Sequence, residues 1–185
     1  SIQYILDRCP GIEMVVSGGD IGNDYHYDPN EIRRSQQEVM DALYKLSVPV
    51  HCCVGNHDNA MGACTDEGRD NRPYTILPDE MHRLCMKNNP TENNYYFIDI
   101  EKQNYRFVFL DVSDGRYNQD KNGQYQGWMY EISGKQAAWF ENEALKTDRS
   151  VIVFCHGPVC NRGIYGTENY PVGIKPYDDL INGPR

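Results

Sequence analysis

The sequence predicts an α/β fold built on a mostly parallel sheet. Short apolar runs at 12–16, 48–54 and 151–155 are rich in β-branched residues, and each ends at a polar loop marked by glycine. The segment between the first two runs has helical spacing, and strand–helix–strand order is typical of parallel strands joined by a crossover helix. Ligands of such sheets bind at the carboxyl ends of the strands.

The helix between the first two strands has a well-defined beginning. Asp28 is suited to cap it, Pro29 takes the first helical position, and Glu31 adds an acidic side chain at the third. Apolar residues continue at helical spacing as far as Leu46. We therefore expect this helix to end near Leu46.

The other elements follow a less regular order. We expect the end of a helix at 2–8, a long polar loop at 59–75 and a short helix at 78–87. The two strands of a hairpin are expected at 95–100 and 105–112. Ser133 and Gln136 are spaced as a capping box that opens a further helix. The buried face of that helix is predicted to include Ala137, Phe140 and Leu145.

The size and charge of the chain exclude several classes of function. Its 185 residues are enough to bury a core, and we expect one domain over 1–185. No stretch approaches the ~20 apolar residues of a membrane-spanning helix. Acidic residues outnumber basic ones by 27 to 18, a net charge of −9 and the reverse of the balance in nucleic-acid binders. We therefore expect neither a membrane span nor nucleic-acid binding.

The seven cysteines do not have the spacing of a disulfide framework. Three of them lie inside apolar runs, where a free cysteine is usually a small core residue. The alternative is a separate zinc site, formed by Cys52, Cys53 and His57 or by Cys155, His156 and Cys160. Neighbouring strand residues point to opposite faces, which argues against the first of these sites.

Side chains that can bind metal ions follow three of the predicted strands. Asp20 comes after the first strand, Asn56, His57 and Asp58 after the second, and His156 after the last. Carboxylate, amide and imidazole groups together suit divalent ions such as Mn, Fe or Zn. Glycines beside Asp20 and Asn56 allow tight turns that direct these side chains over the edge of the sheet. The sequence therefore predicts a metal site at this edge.

Two of these strand ends carry longer motifs. Gly19-Asp20-Ile21-Gly22-Asn23 matches the pattern GDxxN/D, and Gly55-Asn56-His57-Asp58 matches GNHD/E. With His156 as an isolated metal-ligand histidine, the sequence resembles the calcineurin-like metallophosphoesterases. The resemblance covers residues 12–158 and implies an αββα sandwich.

The predicted helix shortly before His156 restricts the resemblance to particular branches of this family. Ser133, Gln136, Ala138, Trp139 and Phe140 are similar to the S/T-x-x-Q-x-x-W-L helix of the purple-acid-phosphatase-like and cyclic-nucleotide-phosphodiesterase-like branches. The resemblance implies a metal-dependent phosphoesterase that hydrolyses small-molecule phosphate mono- or diesters. The implied reaction is the attack of a hydroxide that bridges two divalent ions.

The resemblance also implies a role for each motif residue. Asp20 would bridge the two metal ions, whereas Asn56 and His156 would bind the second ion. His57 would lie beside the phosphate as an electrostatic stabiliser or general acid, oriented by Asp58. Two ions of Mn, Fe or Zn about 3.5–4 Å apart would lower the pKa of the shared water and stabilise charge on the phosphoryl oxygens.

Two further motifs of the family do not occur at the matching positions of this sequence. They are D-x-H before the first motif and G-H-x-H after the last one. We therefore expect a domain truncated at both ends, with these motifs encoded before Ser1 and after Arg185. Without these motifs, one of the two ions keeps only Asp20 as a ligand, whereas the other keeps Asp20, Asn56 and His156. The chain by itself is therefore expected to bind at most one divalent ion, weakly, and to be inactive. Asp24-Tyr25-His26 also spells D-x-H, but it follows Asp20 instead of preceding it.

A second class of function is a catalytically degenerate domain of this family that serves as a binding or scaffolding module. The presence of Asp20, Asn56, His57 and His156 argues against the loss of catalysis. Trp128 and the tyrosines of 115–130 and 165–177 either line a substrate groove or pack loops. Asn23 is a turn residue or a partner of the site. Asp111 either holds the site loops or, as we favour, caps a turn.

Overall fold

The computed structural model describes residues 1–22, 24, 28–62, 70–125 and 130–157. These residues form a mixed α/β fold of four helices and five strands, which confirms the predicted class. In chain order the elements are α1 (Ile2–Arg8), β1 (Val15–Ser17), α2 (Pro29–Leu43), β2 (Val50–Cys52), α3 (Pro78–Cys85), β3 (Tyr96–Ile100), β4 (Tyr105–Phe109), α4 (Gly134–Trp139) and β5 (Ser150–Phe154). Short 3-10 turns occur at Glu101–Gln103 and Asp114–Tyr117, and a π-helical turn at Phe140–Ala144 prolongs α4.

The first sheet is a parallel pair of β1 and β2. Val15 lies opposite Val50, and Ser17 lies opposite Cys52. The amide of Cys53 donates to the Ser17 carbonyl at 2.9 Å, so pairing continues to the ends of both strands. α2 is the crossover between them, as the strand–helix–strand order predicts. Both strands therefore end at the same edge.

The second sheet has the strand order β3-β4-β5. β3 and β4 pair antiparallel, which confirms the predicted hairpin, and Asn104 in its turn is left-handed with φ 56°. β5 runs parallel to β4. An isolated parallel bridge between Val54 and Asp111 joins the extensions of β2 and β4. The carboxyl ends of the two sheets therefore lie side by side.

The beginning of α2 is as predicted, and its end comes earlier. The Asp28 carboxylate accepts a hydrogen bond from the Asn30 amide at 2.8 Å, which confirms the cap. The helix ends at Leu43, three residues before Leu46. The hydroxyl of the next residue, Tyr44, donates to the Cys85 carbonyl at the end of α3 at 2.6 Å. The early end of α2 thus coincides with a contact between Tyr44 and α3, which the local spacing of apolar residues does not predict.

The beginning of α4 shows half of the predicted capping box. The Ser133 hydroxyl accepts a hydrogen bond from the Gln136 amide at 3.1 Å. The Gln136 side chain is buried and binds the backbone of Asp111 instead of returning to the cap. Its Oε1 atom accepts a hydrogen bond from the Asp111 backbone amide at 3.0 Å, and its Nε2 atom donates to the Asp111 backbone carbonyl at 2.8 Å. Gln136 therefore ties α4 to the end of β4.

The predicted buried face of α4 is only partly correct. Phe140 is buried as expected, whereas Leu145 is 43% exposed. The π-helical turn at Phe140–Ala144 uses more residues per turn than an α-helix, so it rotates the following residues away from the predicted face.

Two clusters of buried apolar side chains pack against the sheets. The first combines residues of α2, β2, α3, β3 and β4 and includes Cys52 and Cys53, which are core residues as predicted. Burial raises the pKa of the Cys52 thiol to about 12, so this sulfur stays protonated at neutral pH. The second cluster joins β4 to α4 and contains Val108, Leu110, Val112, Ile132, Phe140 and Ala144.

Asp111 is a buried carboxyl group just after β4. Its Oδ1 atom accepts hydrogen bonds from the amide of Ser113 at 2.9 Å and from the hydroxyl of Ser113 at 3.0 Å, so it caps the following turn. Burial, together with the nearby charge of Asp114, raises the pKa of Asp111 from 3.8 to about 7. Between these two values the native protein therefore holds a proton here that the unfolded chain has lost.

This protonation makes the stability of the protein depend on pH. Between the unfolded pKa of 3.8 and the native pKa of about 7, the native state binds the extra proton, so the free energy of unfolding should fall as pH rises through this window. Asp111→Asn keeps the acceptor for Ser113 and cannot ionise. At about pH 8 it should be more stable than the wild type by roughly 1–3 kcal/mol, and at about pH 4 the difference should vanish.

Urea unfolding of both proteins across this range is the measurement. Asp148→Asn, at an exposed position after α4, is the matched control and should change nothing. An advantage of Asp111→Asn that is the same at all pH values would contradict the assigned protonation.

Candidate metal and catalytic site

Three strand ends meet at one place on the edge of the sheets. Asp20 follows β1, His57 follows β2, and His156 follows β5. Nε2 of His156 lies 3.1 Å from Oδ2 of Asp20, and the backbone amide of His57 donates to Oδ1 of Asp20 at 3.1 Å. The structure thus brings together the side chains that the motifs single out.

Asp58 ties the ends of β1 and β2 together. Its Oδ2 atom accepts hydrogen bonds from the amides of Gly55 at 2.7 Å and Asp20 at 3.0 Å. Its Oδ1 atom accepts from the amide of Ile21 at 2.6 Å. The carboxyl group is buried, and burial raises its pKa while these three donors act in the opposite direction. Asp58 therefore fixes the backbone of the two turns that carry Asp20 and Asn56.

The two turns at the site approach so closely that glycine is required. Gly19 has φ +94°, and a Cβ atom there would lie 2.6 Å from the Gly55 nitrogen. A Cβ atom on Gly55 would overlap the Asp20 carboxylate and lie 2.5 Å from the Asp20 nitrogen. Asp20 itself is left-handed, with φ 52°. The glycines of both motifs thus allow the strand ends to touch.

Hydrogen bonds orient the His156 ring toward Asp20. Its Nδ1 atom lies 2.8 Å from the Gly18 carbonyl, which can only accept, so Nδ1 carries a hydrogen. Nε2 therefore faces the Asp20 carboxylate, and a cation or a proton must lie between these two atoms. The hydrogen bond to Asp20 raises the pKa of His156. Burial opposes ionisation of Asp20, but hydrogen bonds from His156 and His57 lower its pKa overall.

Asp24 is a site residue that sequence reasoning missed. Its Oδ2 atom lies 2.8 Å from Nδ1 of His57, and its side chain is only 4% exposed. Burial raises the pKa of Asp24, and the contact with His57 opposes this rise. We expected Asp58 to orient His57, but the carboxylate at Nδ1 of His57 is that of Asp24. The signal in the sequence was a second acidic residue four positions after Asp20, which we considered only as part of a D-x-H sequence.

The donor set fits a divalent metal ion. Asp20 and His156 converge, and Asn56 is buried directly after the Gly55 turn. Carboxylate, imidazole and amide groups suit Mn, Fe or Zn. The hydrogen bond from Nδ1 of His156 to a carbonyl is the arrangement that presents Nε2 to a metal. Asp20, Asn56 and His156 are therefore the residues that could hold such an ion.

Within the described ranges, no group of three or more His, Cys, Asp and Glu side chains is gathered to hold a metal ion. The alternative zinc site from Cys52, Cys53 and His57 is therefore not formed. Several other candidates lie outside the described residues, namely Asn23, His26, Trp128, Cys160 and the tyrosines of 165–177. None of the helices that the structure describes is long and apolar enough to cross a bilayer.

The chain belongs to the calcineurin-like phosphoesterase family, which it matches over residues 1–177. The mixed α/β fold with two small sheets agrees with this assignment. The recognition of the family from its motifs is thereby confirmed.

Two curated relatives are longer than this chain. A protein of Fibrobacter succinogenes, named a probable cyclic nucleotide phosphodiesterase, is 24% identical over 160 residues, which are 85% of this chain and 46% of the relative. The human manganese-dependent ADP-ribose/CDP-alcohol diphosphatase is 31% identical over 104 residues, which are 54% of this chain and 29% of that protein. The chain thus matches less than half of the length of either relative.

Proposed function

We propose that this chain carries the catalytic centre of a metal-dependent phosphoesterase that acts on small-molecule phosphate mono- or diesters. The observation that carries the proposal is the 3.1 Å approach of Nε2 of His156 to Oδ2 of Asp20 at the meeting point of three strand ends. Membership of the calcineurin-like phosphoesterase family supports the same conclusion. We also propose that residues 1–185 are part of one domain.

Asp20, Asn56 and His156 are the residues that would hold a divalent ion, with Asp20 bridging to a second ion in the complete centre. When bound, the two ions would activate water for attack on phosphorus and neutralise charge on the phosphoryl oxygens. The side chain of Asp20 is 35% exposed and that of His156 is 18% exposed, so a substrate can reach both.

The charge of the site supports dependence on metal ions. Asp20, Asp24 and Asp58 lie close together, in a chain of net charge −9. A phosphate ester is an anion, and these carboxylates would repel it. Bound divalent ions would supply the positive charge that lets such a site accept phosphate.

We propose that His57 assists departure of the leaving group. Its Nδ1 atom is held by Asp24, so Nε2 is the ring nitrogen that would donate a proton or hydrogen bond to the substrate. The backbone amide of His57 donates to Asp20, and this bond holds the His57 backbone beside a proposed metal ligand. We therefore assign His57 as the general acid or electrostatic stabiliser and Asp24 as the residue that orients it.

The names of the two relatives indicate which substrates to test first. One is named for cyclic nucleotides, and the other for ADP-ribose and CDP-alcohols with manganese. We propose that nucleotide-derived phosphodiesters and diphosphates are the substrate class, and that Mn²⁺ is the ion to supply.

Asp20→Asn tests the proposed function in the full-length protein. Asparagine tolerates the left-handed backbone of residue 20 and keeps an acceptor for the His57 amide, but it loses the charge. We expect the variant to lose bound Mn²⁺, together with more than roughly 100-fold of its activity on ADP-ribose, cyclic nucleotides and bis(p-nitrophenyl) phosphate. Metal analysis and initial rates are the measurements, with Asp148→Asn as the control.

The wild-type protein separates the two classes of function. Hydrolysis that requires Mn²⁺ and stops with a chelator supports the phosphoesterase. Nucleotide binding by the Mn²⁺-loaded protein without any turnover would overturn it and support the degenerate binding module instead.

A further inference from the structure

We propose that Tyr130 is a positioning residue for His156, an inference that rests on the proposed function. The centroids of the two rings lie 6.1 Å apart with an angle of 59° between the ring planes. The same tyrosine ring lies against the backbone of Gly157, the next residue along the chain. A Cβ atom built on Gly157 would lie 3.2–3.3 Å from three carbon atoms of the Tyr130 ring.

Tyr130 completes a set of contacts that hold the imidazole from different directions. The Gly18 carbonyl binds Nδ1 at 2.8 Å, and the Asp20 carboxylate lies 3.1 Å from Nε2. A Cβ atom on Gly19 would lie 3.0 Å from Nδ1, so the β1 turn passes close to the ring. These contacts all come from the end of β1. Tyr130 adds a contact from a different part of the chain, and it therefore limits tilting of the ring that the β1 contacts alone permit.

Tyr130 is itself firmly placed. The amide of the next residue, Glu131, donates to the Val112 carbonyl at 2.7 Å, and the Glu131 carbonyl accepts from the Gly115 amide at 3.0 Å. The Glu131 carboxylate is paired with Arg116 at 2.7 Å. The tyrosine ring also packs against the second core cluster, which joins β4 to α4. Because the neighbouring backbone and the ring are both fixed in place, Tyr130 provides a rigid surface against which the His156 ring packs.

A metal ligand that is already oriented loses less freedom when the ion binds. Removing the ring of Tyr130 should therefore let His156 move in the metal-free protein and weaken metal binding. Removing only its hydroxyl group should do neither, because the contacts to His156 and Gly157 are made by the ring. Tyr130→Ala and Tyr130→Phe should therefore differ in the mobility of His156 and in metal affinity.

The first test needs no metal ion. Carbon-13 relaxation of labelled histidine in the metal-free chain reports the order parameter of the His156 ring. We expect a value of ~0.85 in the wild type and in Tyr130→Phe, and a value below ~0.6 in Tyr130→Ala. Tyr105→Ala, which removes a partly exposed tyrosine at the start of β4, is the matched control. A ring that is equally ordered in Tyr130→Ala, or already mobile in the wild type, overturns the proposal.

The second test measures Mn²⁺ binding by calorimetry in the full-length protein. Tyr130→Ala should weaken the affinity about 10-fold, and Tyr130→Phe should restore it. With saturating Mn²⁺, kcat of Tyr130→Ala should return toward the wild-type value, which a general loss of folding would not allow. Wild-type affinity in Tyr130→Ala counts against the proposal. If no variant binds Mn²⁺ but the ring order changes as expected, the proposed function fails and the positioning role stands.

Discussion

Replacing His57 with alanine should lower kcat on alkyl phosphodiesters by roughly 10²–10⁴-fold, the range for a lost general acid. The metal content should stay near normal, because Asp20, Asn56 and His156 remain. Asp24 lies 2.8 Å from Nδ1 of His57, so Nε2 is the ring nitrogen that we propose as the proton donor. Its loss removes the proton donor and leaves the proposed metal ligands in place.

The leaving group provides an internal control for this prediction. Nitrophenolate needs no proton to depart, so the loss of rate on bis(p-nitrophenyl) phosphate should be much smaller than on an alkyl ester. His82→Ala is the matched control, since His82 lies in α3 and its Nε2 atom binds the Thr91 carbonyl at 2.8 Å. Two results would show that the role of His57 is wrong: loss of metal ions from His57→Ala, or full activity on alkyl esters.

Replacing Asp58 with alanine should lower the free energy of unfolding by about 3–5 kcal/mol. Three backbone amides, those of Asp20, Ile21 and Gly55, would lose their acceptor, and each buried unsatisfied donor costs about 1–3 kcal/mol before local relaxation or water entry. The ends of β1 and β2 would separate, so metal binding should weaken as well. Urea unfolding and Mn²⁺ titration are the measurements.

Asp58→Asn refines this test, because its single side-chain oxygen can replace only part of the acceptor. We expect it to be intermediate in stability between the wild type and Asp58→Ala. Asp148→Ala, at an exposed position, should match the wild type. Wild-type stability with a lowered kcat in Asp58→Ala would contradict the structural role and restore Asp58 as the residue that orients His57.

Local patterns in the sequence predicted the elements that depend on neighbouring residues. The Asp28 cap, the helix that follows it and the hairpin of β3 and β4 were predicted from spacing and turn residues, and the structure confirms them. The side chains proposed to bind metal were singled out because they follow apolar strands directly. Glycine beside Asp20 and Asn56 indicated the tight turns, whose close contact the structure shows.

Other features of the site depend on residues that are distant in the chain. The contact of Asp24 with His57 spans 33 residues, and the contact of Gln136 with Asp111 spans 25. The capping-box pattern assigned Gln136 to its own helix end, but the buried backbone of Asp111, just after β4, provides both a donor and an acceptor. Local spacing contains no information about such a competing partner.

The sequence by itself determined the α/β class, the order of most elements and the set of metal-capable side chains, because each follows from the local alternation of apolar runs, glycines and polar residues. Only the tertiary structure decided which carboxylate meets which histidine. Asp58 follows His57 directly, yet its oxygens are bound by three backbone amides, and Asp24 takes the place at Nδ1 of His57. A buried carboxylate is bound by the donors that the fold brings to it, and those donors are fixed only when the strand ends meet.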